Sequence, residues 1–140
     1  GVQLTAALAP GRVRADPEGL ALALRNLLDN ALKFSRQRQP PVVEISSRIV
    51  DGRHIFSVRD NGTGFDMKYH DRIFQIFQRL HRAEEYSGTG IGLAIVHKAA
   101  ERMGGRVWAE SVPDQGSTFY LDLPATESDA FSRQDNPSPT

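Results

Sequence analysis

Apolar residues alternate with others at Val2, Leu4 and Ala6, and Val13 follows Gly11, so the chain opens with one or two short strands. A longer period takes over at Asp16. Leu20, Leu24, Leu27, Leu28 and Ala31 return every three or four residues and gather on one side of a helix. Asp16 stands at the N-cap and Pro17 at the first helical position, where its missing N–H would have no partner anyway. The helix runs to about Ser35 and cannot pass Pro40-Pro41. Val42–Val50 and His54–Val58 read as strands joined by Asp51-Gly52, a pair suited to a tight hairpin turn. Asn61–Asp66 reads as loop and Lys68–Gln75 as a short helix. A second long helix places Ile91, Ile95, Ala99 and Met103 on one stripe and stops at Gly104-Gly105. Arg106–Ser111 and Ser117–Leu123 are strands flanking a turn at Asp114–Gly116. Helices interleave with hairpins, so the expected fold is α/β, a mixed sheet with helices on one face.

Composition narrows the function. The globular part is expected over residues 1–124; after Pro124 the sequence turns to Ser, Thr, Asp, Asn and Pro, the composition of a disordered tail over 125–140. Lys plus Arg equals Asp plus Glu at 17 each, giving a formal net charge of zero. That argues against a nucleic-acid partner, which calls for a basic excess. The absence of cysteine excludes disulfides, zinc-thiolate sites and Cys nucleophiles. No apolar run approaches the roughly 18 residues of a membrane span, and no signal-peptide pattern is present. The expectation is a cytoplasmic domain with no membrane segment, and the opening Gly1 suggests a piece of something larger.

Three stretches can carry chemistry. In "LRNLLDNALKFS", Leu24 to Ser35, the helical period brings Asn26, Asn30 and Lys33 within roughly 60° of each other, beside the apolar side. Taken alone the stripe reads first as a solvated polar face, and second as a phosphate and metal site. In the second reading an amide oxygen is a hard, neutral ligand for Mg²⁺ and Lys33 is a point charge beside phosphates. "DNGTG", Asp60 to Gly64, follows a strand. It is either a plain tight turn, or an acceptor for an exocyclic amine (Asp60) with glycines at 62 and 64 that let the backbone approach a ligand. "RLHRAEEYSGTGIGLAIV", Arg79 to Val96, spaces Gly88, Gly90 and Gly92 two apart. It lacks the Gly-Lys-Ser/Thr of a Walker loop, and Leu93 or Ile95 stands where a dinucleotide fingerprint needs its third glycine. A flexible connector and an anion-binding loop running into a helix N-terminus both remain. None of His54, His70, His81 and His97 has a metal-ligand or triad setting, so each reads as surface or structural.

The order of these motifs is more specific than any one of them. Asn-box, Asp-x-Gly-x-Gly, Phe-x-x-Phe, Gly-x-Gly-x-Gly and a final Gly-x-Thr-Phe (Gly116 to Phe119) together resemble the catalytic ATP-binding domain of sensor histidine kinases, over about Asp16 to Pro124. "IFQRLHRAEEYSGTGIGLAI" is most similar to kinases of the phytochrome type and their relatives with PAS sensors. The resemblance implies a two-layer α/β sandwich of the Bergerat type, shared with gyrase-like ATPases, with a flexible ATP lid. It implies ATP and Mg²⁺ as cofactors, Asn30 as the metal ligand with Asn26 in support, and Lys33 on the phosphates. Phe34 would lie beside the nucleoside and Asp60 would take the adenine amine, with Gly62 and Gly64 shaping the pocket. Phe74 and Phe77 would anchor the lid, and Arg82 would reach the terminal phosphates. Gly88, Thr89, Gly90, Ile91, Gly92 and Leu93 would form the second glycine box, with Thr118 near the adenine pocket.

On this resemblance the glycines of Arg79–Val96 are a lid hinge and the phosphate-facing start of a helix. Two departures stand out: Asp114 occupies a place where the family usually has glycine, and no histidine is followed by an acidic residue and then proline as the family's phosphoacceptor is. The acceptor is therefore expected on a separate dimerisation hairpin, within a homodimeric full-length protein that serves a response regulator receiver domain. The leading expectation is transfer of the γ-phosphoryl of ATP to that histidine. The alternative is a regulatory ATP-binding domain whose net output is dephosphorylation of the response regulator. A chaperone or topoisomerase ATPase is a third member of the same superfamily, disfavoured by the short lid and the Phe box.

Overall fold

A computed structural model describes residues 1–9, 16–74 and 90–125. In chain order these form strand β1 (Gln3–Ala7), helix α1 (Pro17–Ser35), strands β2 (Val42–Val50) and β3 (Arg53–Asp60), two 3-10 turns at Met67–Tyr69 and Arg72–Phe74, helix α2 (Gly90–Arg102), and strands β4 (Arg106–Val112) and β5 (Gly116–Pro124). The sheet order is β1-β2-β3-β5-β4. β1 runs parallel to β2, and every other pair is antiparallel. Both helices pack on one face, so the expected mixed sheet with a single helical layer is present.

The local signals act as their chemistry requires. The Asp16 carboxylate accepts the Gly19 N–H at 3.1 Å, satisfying one of the orphan donors of the first turn of α1. Asp51 and Gly52 both take positive φ, 51° and 77°, and reverse the chain between β2 and β3. At the end of α2, Gly104 adopts φ 76° and donates to the Glu101 carbonyl, while Gly105 donates to that of Ala100. These two bonds form the glycine-terminated stop of a Schellman motif.

The core lies between the layers: Ala23, Leu27 and Ala31 of α1, Leu93, Val96 and Ala100 of α2, and Val43, Val58, Phe119, Leu121 and Leu123 of the sheet. Two expectations change here. The stripe Ile91, Ile95, Ala99, Met103 is not the centre of the buried face of α2. Leu93, Val96, Ala100 and Met103 are buried, whereas Ile95 and Ala99 are only half-buried. The period is right, but α2 also packs along α1, and this turns the helix to bury a neighbouring stripe. Lys68–Gln75 does not form one helix: residues 67–74 make two 3-10 turns, the first capped by Asp66, whose carboxylate accepts the Lys68 N–H. A helix of two turns gains little from its own hydrogen bonds, and short 3-10 pieces place Phe74 in the core instead. Val13, Gln75 and the tail beyond residue 125 lie outside the described residues.

Candidate functional site

The site residues collect at the end of the sheet where β3 finishes and β5 begins. Because β3 alternates faces, His54, Phe56, Val58 and Asp60 all point toward the helical layer. Asp60 is therefore delivered to the edge of the core and is only 3% exposed. Its Oδ1 accepts the Gly62 N–H at 2.8 Å, and its Oδ2 has no hydrogen-bond partner among the described residues. Burial pushes the Asp60 pKa up to about 6, against the opposing pull of the Gly62 and Ser117 backbone and the Arg38 charge. A carboxylate held this way has an acceptor lone pair in reserve and a strong reason to take a donor.

Asn30 faces the same layer from α1. The helix turns further toward its amide stripe than the apolar period alone indicates, so Asn30 falls within the buried run Ala23, Leu27, Ala31 and is 3% exposed. Neither its Oδ1 nor its Nδ2 meets a hydrogen-bond partner among the described residues. Asn26, four residues earlier, is half-buried and donates its Nδ2 back to the Leu22 carbonyl at 2.8 Å. Its Oδ1 lies where a side chain on Gly92 would stand, 2.9 Å from an ideal Cβ, so glycine at 92 makes room for the amide at the start of α2. Lys33 and Phe34 are half-buried on the last turn of α1.

The Asp60–Gly64 loop is packed against the chain itself. A Cβ on Gly62 would run into the Phe34 carbonyl and come within 2.8 Å of Asp60 Oδ1. Gly64 takes φ 66°, and a Cβ there would meet the Val112 carbonyl. Both glycines are thus required by close backbone approach.

Three of the expected site residues are placed differently. Thr118 lies opposite Arg59, on the face of the sheet away from the helices, and lines an open cavity of about 500 Å³ with Glu44, Arg59 and Tyr120. It is not beside Asp60. Ser117 pairs directly with Asp60, shares its face and is buried, so the one-residue parity of β5 hands that position to Ser117. Phe74 is a core residue, in edge contact with Phe119 (ring centroids 6.1 Å apart) and His70 (5.7 Å), and Leu93 is also in the core. Their side chains anchor the layer instead of lining a ligand surface. Phe77, Arg82, Gly88 and Thr89 lie outside the described residues. Gly90 and Ile91 are described only as the first backbone turn of α2.

Sequence reading missed two further groups. Ser111 Oγ donates to the Gly116 carbonyl at 2.9 Å and accepts the Phe65 N–H at 2.8 Å, and it lies 2.8 Å from Ser117 Oγ. Arg38, just beyond α1, donates from Nε to the Asn61 carbonyl at 2.7 Å and from Nη2 to those of Gly62 and Asp114, both at 2.8 Å. Counting strand parity from Asp60 would have found Ser117; nothing in the local pattern marks Arg38. Among the described residues no cluster of His, Asp or Glu is placed to hold a metal. A candidate oxygen is the Asn30 Oδ1, which is buried and meets no partner among the described residues.

Comparison with known proteins identifies the family and the fold. The family described as "Histidine kinase-, DNA gyrase B-, and HSP90-like ATPase" matches residues 15–127. Cyanobacterial phytochrome A of Nostoc sp. is 46% identical over 112 residues, which are 80% of this chain and 14% of that protein. The chain thus spans about a seventh of that relative's length. Among solved structures, full-length ShkA in complex with AMPPNP superimposes with a TM-score of 0.76 at 32% identity, covering 90% of this chain and 26% of ShkA. The mycobacterial sensor histidine kinase MprB gives 0.75 at 27% identity, covering 89% and 82%. The chain belongs to the family of histidine kinase-, DNA gyrase B- and HSP90-like ATPases, and within it to the ATP-binding domains of histidine kinases.

Proposed function

We propose that this domain binds ATP with Mg²⁺ and presents its γ-phosphoryl to a histidine on a separate dimerisation hairpin of a sensor kinase. The observation that carries the reading is a pair of buried polar groups, Asn30 on α1 and Asp60 Oδ2 at the end of β3, that meet no hydrogen-bond partner among the described residues. Buried polar atoms without partners are costly and rare, and two together are best accounted for by a ligand that completes them. Asp60 suits the exocyclic amine of adenine, since an ionised carboxylate only accepts. The Asn30 Oδ1 suits Mg²⁺, which prefers oxygen and shares its shell with phosphates. Bound there, Mg²⁺ would neutralise phosphate charge. Lys33, Arg82 and the glycines at 88, 90 and 92 are assigned to the phosphates, and Asn26 and Phe34 to the flanks of the site.

In the transfer itself the bond between the γ-phosphorus and the β,γ-bridging oxygen breaks, and a bond to an imidazole nitrogen forms. ADP leaves with the electron pair. The chain's part is to bind and orient, which is most of what phosphoryl transfer asks of a protein. The partners on this reading are a hairpin carrying the acceptor histidine, in a homodimer, and a response regulator receiver domain. Calorimetry with and without Mg²⁺ tests the site. ATP should bind in preference to GTP, and Asn30→Ala should remove most of the Mg²⁺ dependence. Equal affinity for the two nucleotides, or an unchanged Mg²⁺ dependence in Asn30→Ala, would refute the assignment. Incubated alone with labelled ATP, the domain should gain no acid-labile phosphate; with the hairpin added, the hairpin should gain it.

A further inference from the structure

We propose that Arg38 is a positioning residue of the base pocket, a guanidinium fork that fastens the Asp60–Gly64 loop to the β4–β5 turn and so aims Asp60 at the base. The inference rests on the reading of Asp60 as the group that accepts an exocyclic amine. Three acceptors from two separate loops converge on one side chain: the Asn61 and Gly62 carbonyls after β3, and the Asp114 carbonyl between β4 and β5. Three of the five guanidinium N–H groups are committed in this way, each at 2.7 to 2.8 Å.

The fork is aimed at the residues that set the direction of Asp60. Gly62, whose carbonyl Arg38 holds, donates its own N–H to Asp60 Oδ1. Asn61 is clamped a second time, its Oδ1 accepting the Val42 N–H at 2.9 Å and its Nδ2 donating to the Pro40 carbonyl at 3.0 Å. Asp114 donates its N–H to the Thr63 carbonyl at 2.6 Å, so the turn that Arg38 holds is already tied to the same loop. The positive charge also acts on Asp60, favouring its ionised form. Among the described residues it is the one charge resolved as acting there; the strand partners Ser117 on β5 and Val43 on β2 are neutral, as is Asn30 on α1. Lysine cannot replace the geometry. It carries the charge as a single point and cannot bridge carbonyls with a planar fork.

The experiment compares wild type, Arg38→Gln, Arg38→Lys and Asp60→Asn in three measurements: adenosine affinity, affinity for Mg²⁺-tripolyphosphate (which lacks the base), and the titration of the Asp60 carboxyl by ¹³C NMR. Arg38→Gln should weaken adenosine about tenfold, leave tripolyphosphate unchanged and move the Asp60 titration upward. Arg38→Lys should keep the Asp60 titration near wild type yet still weaken adenosine, which separates fork from charge. A purely structural Arg38 would not move the Asp60 titration while folding is retained. Wild-type adenosine affinity in Arg38→Lys overturns the fork, and does so even where Arg38→Gln fails to fold. An unmoved Asp60 titration in folded Arg38→Gln overturns the electrostatic part. If Asp60→Asn alone loses adenosine, the base assignment stands and the role of Arg38 falls. If Asp60→Asn binds adenosine as wild type does, the base assignment falls and the proposal with it.

Discussion

Replacing Asp60 by asparagine tests the electrostatics of the pocket without any ligand. In the unliganded domain the carboxyl is 3% exposed and its pKa stands at about 6, against 3.8 for an unperturbed aspartate. The sign follows from proton linkage. A group whose folded pKa is raised contributes stability that is fully present below its unfolded pKa and lost as pH rises through the folded one. Wild type therefore loses stability on this account between about pH 4 and pH 6. The gap of roughly two pH units corresponds to about 3 kcal/mol, with little solvent screening at so buried a site. Asparagine has nothing to ionise. It keeps an oxygen for the Gly62 N–H but brings a buried NH₂ to the place of an unpartnered Oδ2, a fixed cost of about 1–3 kcal/mol.

The absolute stability difference between the two proteins thus mixes two effects, but its pH dependence isolates one. Urea unfolding of both, from about pH 4 to pH 8, should show Asp60→Asn gaining on wild type by about 2–3 kcal/mol, nearly all of it below pH 7. Carboxylates elsewhere titrate in both proteins and cancel. A difference that stays flat across this range would refute the raised pKa, and with it the argument that burial holds Asp60 ready for a donor.

Asn30→Leu should stabilise the unliganded domain by about 1–3 kcal/mol in urea, because an unpartnered buried amide becomes apolar, while Mg²⁺-dependent ATP binding is lost; a destabilised variant would mean that the amide is satisfied. Gly62→Ala should cost about 1–3 kcal/mol, since its methyl group would overlap the Phe34 carbonyl, and an unfolding midpoint equal to wild type would count against that packing. Asp114 holds φ 67° where a glycine would be relaxed, so Asp114→Gly should raise stability by about 1 kcal/mol in thermal unfolding, and a loss of stability would show that the Asp114 side chain matters there.

What the sequence disclosed was what is decided locally. The Asp16 cap, the Asp51-Gly52 hairpin and the Gly104-Gly105 stop are each fixed within about four residues, and each formed as its residues dictate. The rotation of α2 was not legible, because a stripe of apolar residues says that one face is buried but not which neighbour will claim its edge. The same limit hid the depth of Asn30, where α1 turns an amide into the core. Thr118 and Ser117 differ by one residue in β5, and a resemblance aligned on residue type takes the wrong one; only pairing with Asp60 fixes the parity. Arg38 left no trace because its acceptors are backbone carbonyls 23, 24 and 76 residues away.

The sites where local rules fail have a common cause. A helix selected only for stability would not bury Asn30 with no partner among the described residues, and a strand would not end on a buried carboxylate with one oxygen unbonded among them. Each such residue is a local defect that the surrounding fold is stable enough to hold, and on the proposed function its energy would be recovered when a complementary ligand enters. The three glycines around them follow the same logic at the level of shape. Gly62, Gly64 and Gly92 allow the Phe34 carbonyl, the Val112 carbonyl and the Asn26 amide to come close, and these contacts fix the walls within which the unpartnered groups are aimed. On the proposed function, ligand affinity and unliganded stability would be opposed at Asn30 and Asp60, whereas at the glycines they would run together. Substitutions at the first pair should separate stability from binding, and substitutions at the glycines should lower both at once.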